Sequence, residues 1–77
     1  MNGIIQKFLR RYGTTMYQVA KETGLSKATI ESANKKSVDQ MSAKNIRLIA
    51  ENVELSPGNV LNELYKIEKD DENNENQ

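Results

Sequence analysis

The chain lacks both cysteine and histidine, and each absence excludes a class of function. Without cysteine there are no disulfides and no thiol nucleophile. Without histidine, the usual Cys/His zinc sites and Ser–His catalysis are excluded as well. The acidic residues near the C-terminus lie in a stretch without apolar side chains, which cannot hold a precise catalytic site. We therefore expect no enzyme, no metal site and no cofactor.

Long hydrophobic runs are absent too. No stretch approaches the roughly 20 apolar residues that a membrane span requires, and the apolar run within residues 1–13 is too short for a signal peptide. These observations favour a soluble cytoplasmic protein without a membrane partner. The 77 residues, of which 36% are hydrophobic, suffice for one domain with a small core. Such a domain has marginal stability by itself, and dimerisation would increase it.

The net charge of zero conceals two halves of opposite sign. Residues 1–47 contain nine lysines or arginines and three acids, a net charge of +6. Residues 48–77 contain two lysines and eight acids, a net charge of −6. A basic face is typical of nucleic-acid binding because it neutralises phosphates. It is equally typical of the solvated surface of an ordinary helical protein, so charge alone does not decide between the two.

Residues 15–36 predict two short helices separated by a tight turn. Thr15 followed by Gln18 forms a capping box, which marks the start of the first helix. Gly24 suits the left-handed position that ends this helix, and Ser26 can cap a second helix immediately afterwards. Apolar residues recur at helical spacing in both segments. The pattern is typical of a helix-turn-helix, whose second helix lies in the major groove of DNA.

Three further helices are predicted around this pair. Apolar spacing predicts a helix over 3–12, Ser42 can cap another, and Ser56–Pro57 can begin a last one. Residues 68–77 contain no apolar side chain and are predicted to be disordered. The expected fold is all-α: a compact bundle of about five helices over 1–67, followed by a disordered acidic tail.

The residues that build this pattern resemble those of a known family. They occupy turn and apolar positions of the helix pair and of the fourth and fifth helices: Ala20, Gly24, Leu25, Ser26, Ile30, Ile46, Ile49, Ala50, Val53, Leu55, Val60 and Leu61. Over residues 3–67 the chain resembles the Cro and phage-repressor type of helix-turn-helix domain, found in small bacterial and phage transcriptional regulators. The resemblance implies a lambda-repressor-like bundle of about five helices, of which the second and third bind DNA.

The chain departs from the family pattern at four positions. Met16 stands where many relatives have a glutamine, and methionine has no donor for a phosphate. Asn34 and Lys36 stand where relatives have an acid and a glycine, and Glu54 stands where a glycine commonly ends the fourth helix. The exit from the third helix is therefore expected to differ, and Asn34 tolerates a left-handed conformation there.

The resemblance implies base contacts by exposed residues near the start of the third helix: Lys27, Ala28, Thr29 and Ser32. Lys27 can donate to guanine O6 or N7, or it can contact a phosphate as a point charge, and both alternatives stay open. The shorter side chains can pack on thymine methyls or bond bases and phosphates through their hydroxyls. An alignment shifted by one residue transfers these roles to Ser26 and Glu31.

Phosphate contacts are implied for a second set of residues, which lie mostly at helix ends: Tyr17, Gln18, Ser26, Lys35, Lys36 and Lys44. A helix N-terminus directs its amide groups outward, and this applies to the starts of the second and fourth helices. The two lysines after the third helix are expected beside the groove. Arg10 and Arg11 are ambiguous between a DNA contact and a solvated face.

These expectations describe a sequence-specific DNA-binding transcriptional regulator, a repressor that binds an operator as a homodimer. Its half-sites would lie about 34 Å apart on double-stranded DNA. One domain of this size buries too little surface for useful specificity, which is the reason to expect a dimer. The dimer is expected to use apolar residues that are not needed to fill the core: Val53, Leu55, Pro57 and Tyr65. No small-molecule ligand is expected.

A protein-interaction module with the same fold is the alternative. Such a module would bind another protein, as an antirepressor, an antitoxin or a nuclease inhibitor. The short side chains at the expected base-reading positions, Met16 and the acidic C-terminal segment all fit this alternative. The segment either mimics the charge of DNA or keeps the protein soluble. Steep salt dependence of DNA affinity would favour the regulator, and a tight protein complex indifferent to DNA would favour the module.

Overall fold

Five α-helices and one short 3-10 turn make up the described part of the chain. The computed structural model describes the backbone of residues 3–75 and the side chains of residues 3–72. The elements, in chain order, are α1 (Ile4–Arg11), α2 (Met16–Thr23), α3 (Lys27–Asn34), the 3-10 turn (Val38–Gln40), α4 (Ala43–Asn52) and α5 (Pro57–Glu75). No strand occurs among these residues. The prediction of an all-α bundle of about five helices is confirmed.

One hydrophobic core joins all five helices. Its buried members are Ile4, Ile5, Phe8, Leu9, Val19, Ile30, Ala33, Val38, Met41, Ile46, Ile49, Ala50, Val60, Leu64 and Ile67. They recur at helical spacing because one stripe of each helix has to face inward. Leu61, which the same spacing assigned to the core, is only half-buried and packs at its edge. No described residue with a polar or charged side chain is buried.

Serine or threonine hydroxyls cap the N-termini of four helices, α2 to α5, as their sequence positions predicted. Each accepts a hydrogen bond from the backbone N–H three residues later, which satisfies one of the amides that a helix start leaves without a partner. The pairs are Thr15 with Gln18 at 3.1 Å, Ser26 with Thr29 at 3.1 Å, Ser42 with Asn45 at 3.1 Å and Ser56 with Asn59 at 3.2 Å. Helix α1 differs, because Gly3 precedes it and has no side chain to offer.

The structure corrects the prediction for the acidic end of the chain. Residues 68–77 were expected to be disordered, but α5 continues without a break through Glu75, and residues 76–77 lie outside the described part. Charged side chains hold this extension. Lys7 Nζ lies 2.6 and 2.7 Å from the carboxylate oxygens of Asp71, and Glu68 Oε2 accepts the Val38 N–H at 2.9 Å. A search for apolar residues alone does not detect such contacts.

The connection between α3 and α4, for which the sequence indicates no helix, contains ordered structure. It contains the 3-10 turn, and Val38, the first residue of the turn, and Met41, directly after it, enter the core. Farther along, Glu54 adopts φ +60° after α4, the left-handed conformation that a glycine takes more easily. None of the described helices is both long and apolar enough to cross a membrane.

Hydrogen bonds from two tyrosine hydroxyls join α5 to the rest of the bundle. The Tyr12 hydroxyl donates to Glu63 of α5, and the Tyr65 hydroxyl of α5 donates to Asp39 in the 3-10 turn. These bonds raise the pKa of Tyr12 and the pKa of Tyr65 above the ordinary value of 10.0, and desolvation and the negative carboxylates add to both shifts. Each folded-state pKa therefore exceeds the unfolded one.

Ionisation of these two tyrosines should destabilise the fold at alkaline pH. Because their pKa values are raised on folding, the stabilisation is complete below about pH 10 and is lost as the pH rises through the folded pKa. We expect the melting temperature of the Tyr12→Phe/Tyr65→Phe variant to fall less between about pH 9 and about pH 11 than that of the unmodified protein. Tyr17→Phe is the control, and its melting temperature should follow the unmodified protein. Parallel decline in all three proteins would contradict the two hydrogen bonds.

Candidate nucleic-acid interface

Helices α2 and α3 are joined by only three residues, Gly24, Leu25 and Ser26. Gly24 has φ +83°, and its N–H donates to the carbonyl of Ala20 at 3.1 Å, which ends α2. This left-handed residue turns the chain sharply without the steric cost that a side chain would carry. Ser26 then returns to an extended conformation and caps α3. The predicted boundaries of the two helices agree with the structure.

The inward side of α3 determines which residues face outward. Ile30 and Ala33 are buried, so at 3.6 residues per turn the opposite side is centred on Ala28, with Glu31 and Ser32 beside it. Lys27 and Thr29 lie at the edges of this surface. The structure therefore places the expected base-reading residues Lys27, Ala28, Thr29 and Ser32 on the exposed part of one short helix. Glu31 shares that exposed surface.

Two of these side chains already have partners within the protein. Lys27 Nζ lies 3.9 Å from Glu31 Oε1, one helical turn away, and both side chains are largely exposed. Such a surface pair contributes little stability and separates easily. The hydroxyls of Ser26 and Thr29 lie 2.7 Å apart, and Ser26 also caps the helix. A phosphate at Ser26 would therefore compete with the cap, which makes its expected phosphate role secondary to its structural one.

A concave groove of about 360 Å³ lies beside α3. Six of the residues around it are Arg10, Met16, Tyr17, Lys27, Ile30 and Glu31. The groove thus joins α1, the start of α2 and the start of α3. The first amides of α2 have no acceptor within their helix, as at every helix start, and Tyr17 there is 69% exposed. Arg10, which the sequence left ambiguous, lines this groove and supplies a cation.

The remaining expected phosphate ligands lie at helix ends. Gln18 is exposed in the first turn of α2, and Lys44 is exposed in the first turn of α4. Lys35 and Lys36 directly follow α3 and are exposed as well. All of these side chains can reach a ligand from solvent. The cations therefore frame α3 at its start, through Lys27, and at its end.

The expected dimer residues have mixed environments. Val53 and Leu55 are half-buried and pack against the core, so they offer a partner less apolar surface than the sequence indicated. Pro57 is exposed at the start of α5. The Tyr65 side chain is 42% exposed, but its hydroxyl already donates to Asp39. The homodimer stays a prediction. Of the residues expected at its interface, Pro57 and the Tyr65 ring are the most accessible.

Asn34 is the important residue of this region that the sequence did not assign. It was expected to suit a left-handed turn, but it is the last residue of α3, and Lys35 after it is also right-handed. The Asn34 Oδ1 atom accepts the Gln6 N–H at 2.9 Å, and its carbonyl accepts the Gly3 N–H at 2.8 Å. Asn34 thus supplies the cap that Gly3 cannot supply to α1. The absence of a capping side chain before α1 is the only sequence signal for this contact.

Comparison with known proteins identifies no relative: no family model, no curated protein and no solved structure matches this chain. Among the described residues, no group of three or more acidic side chains is arranged to hold a metal ion.

Proposed function

We propose that this protein is a sequence-specific DNA-binding transcriptional regulator, a repressor of the Cro and phage-repressor type that acts as a homodimer. The observation that carries the proposal is the short, exposed helix α3, joined to α2 through the left-handed Gly24 and framed by lysines at both ends. A helix presented in this way suits the major groove of DNA.

The dimensions of α3 support major-groove binding. An α-helix with its side chains is about 10–12 Å across, which fits the major groove of about 12 Å, and the eight residues of α3 are a short segment to seat there. The small side chains of Ala28 and Ser32 at the centre of its outward side let the helix backbone approach the base edges closely. Lys27 at the edge can reach guanine O6 and N7 or the neighbouring phosphate. Sequence reading would thus depend on a few short-range contacts.

Phosphate binding is supported by the groove next to α3. Arg10 and Lys27 contribute positive charge from two different helices, and the outward amides at the start of α2 add donors. Tyr17 is exposed there, and its hydroxyl can donate a hydrogen bond to a phosphate, which Met16 cannot do. Backbone contacts of this kind fix the position of a protein on DNA, and base contacts then select the sequence.

A protein-interaction module is the second candidate, and Glu31 is the observation that favours it. Glu31 lies on the outward side of α3, close to Lys27. A carboxylate facing DNA is repelled by phosphates unless it accepts a bond from cytosine N4. A basic or polar protein surface would accommodate this mixed charge more readily. The two candidates differ in whether the protein binds DNA at all, so a DNA-binding measurement separates them.

Selection of bound sequences from a random duplex pool tests the proposal. We expect enrichment of an inverted repeat with half-site centres about 34 Å apart, because a two-fold dimer presents two copies of α3. Lys27→Ala should relax the preference at one position of each half-site by about 1–3 kcal/mol. Lys66→Ala, which removes the same charge from the exposed side of α5, should select the same repeat as the unmodified protein. No enrichment at low salt would refute the regulator and favour the interaction module.

A further inference from the structure

The exit of α3, which comprises residues 34–40, is held from two sides by other helices. On one side, Asn34 accepts the Gln6 N–H through its side chain at 2.9 Å and the Gly3 N–H through its carbonyl at 2.8 Å. Both donors belong to the start of α1. The end of α3 and the start of α1 are thereby joined by two hydrogen bonds across 28 and more residues of chain.

On the other side, α5 holds the 3-10 turn. Glu68 Oε2 accepts the Val38 N–H at 2.9 Å, and Tyr65, one turn earlier in α5, donates to Asp39. Val38 is buried between these contacts. Glu68 belongs to the acidic segment that the sequence predicted to be disordered, so this segment contacts the chain at Val38, a short distance after the end of the proposed reading helix.

We infer that Asn34 and Glu68 are positioning residues that set how precisely α3 faces the bases. The inference rests on the proposed function. A binding constellation keeps its geometry only when neighbouring hydrogen bonds hold its supporting elements, within about 0.5 Å for productive contacts. Neither residue needs to touch DNA for this role. Asn34 fixes α3 relative to α1, which lines the same groove through Arg10, and Glu68 fixes the turn that follows Lys35 and Lys36.

The chemistry of the two residues fits this role. An acceptor at the start of a helix satisfies an amide that has no partner within the helix, and an amide or a carboxylate oxygen caps it about equally well. Asn34→Asp should therefore keep the contact with Gln6, whereas Asn34→Ala removes it. Glu68→Ala removes the acceptor for Val38 and one negative charge. Asp70→Ala removes the same charge from an exposed position of α5 and is the matched control.

The test measures the ratio of dissociation constants for an unrelated duplex and the duplex that the pool selects. Asn34→Ala and Glu68→Ala should each lower this ratio about tenfold, because a loosely held α3 loses base contacts before phosphate contacts. The slope of affinity against salt should stay unchanged in both, which a lost phosphate contact would not allow. Asn34→Asp and Asp70→Ala should keep the ratio. Asn62→Ala, an exposed asparagine of α5, controls for the substitution itself.

Circular dichroism establishes that each variant is folded at the temperature of the binding measurement. If Asn34→Ala does not fold, Asn34→Gln displaces the same carbonyl by one carbon and should show the same loss of discrimination. Folded Asn34 and Glu68 variants that discriminate like the unmodified protein would overturn the inference alone. An unmodified protein without any sequence preference would overturn the proposed function and the inference together.

Discussion

Phe8→Ala is expected to lower the free energy of unfolding by about 3–5 kcal/mol. Phe8 is 0% exposed, and its ring centroid lies 5.0 Å from that of Tyr12. The substitution removes the whole ring from the core and leaves a cavity that the surrounding side chains fill only in part. A chain of 77 residues has a total stability of about 4–12 kcal/mol, of which this loss is a large part.

Urea unfolding followed by circular dichroism measures this effect, at one fixed protein concentration because dimerisation would couple stability to concentration. Tyr17→Ala removes an aromatic ring that is 69% exposed and should change the stability by less than about 0.5 kcal/mol. A loss of less than about 1 kcal/mol in Phe8→Ala would show that α1 is not packed in the core as described.

The features that sequence patterns predicted correctly are local ones. A capping hydroxyl, a left-handed glycine and apolar residues at helical spacing all act within a few residues of chain, as at Thr15, Gly24 and Ser26. Ile30 and Ala33 then determine the outward side of α3, so the exposure of its candidate base readers was predictable as well. Each of these inferences needs only the geometry of one helix.

The features that the sequence did not reveal join distant residues. Asn34 is 28 residues from Gln6, and Glu68 is 30 residues from Val38. In each pair a side-chain oxygen accepts a hydrogen bond from a distant backbone amide. The sequence around that amide gives no sign of which residue will be its partner. The composition of the acidic C-terminal segment predicts no ordered structure. The segment nevertheless belongs to α5, and its side chains contact Val38 and Lys7. Only the tertiary arrangement brings these opposite charges and unpaired amides together.

The affinity for the selected duplex is expected to fall about 10³-fold between 50 and 200 mM salt. On the proposed function, the lysines at helix ends, Lys35, Lys36 and Lys44, would alone offer three phosphate contacts in each subunit and six in a dimer. Six contacts predict a slope of about −5 for the logarithm of affinity against the logarithm of salt concentration, because each neutralised phosphate releases counterions. Contacts by Arg10 and Lys27 at the groove would steepen the slope further. Fluorescence anisotropy of a labelled duplex at several salt concentrations measures the slope.

Lys35→Ala should make this slope shallower by about 2, since a dimer loses two contacts, while the sequence preference stays the same. Lys66→Ala removes an equal charge from α5 and should leave the slope unchanged. Equal effects of the two substitutions would mean that overall charge, not contact at the exit of α3, controls the affinity. The basic half of the chain would then attract DNA without docking on it. In that case the exposed pair of Lys27 and Glu31 would be better explained as part of a surface for another protein.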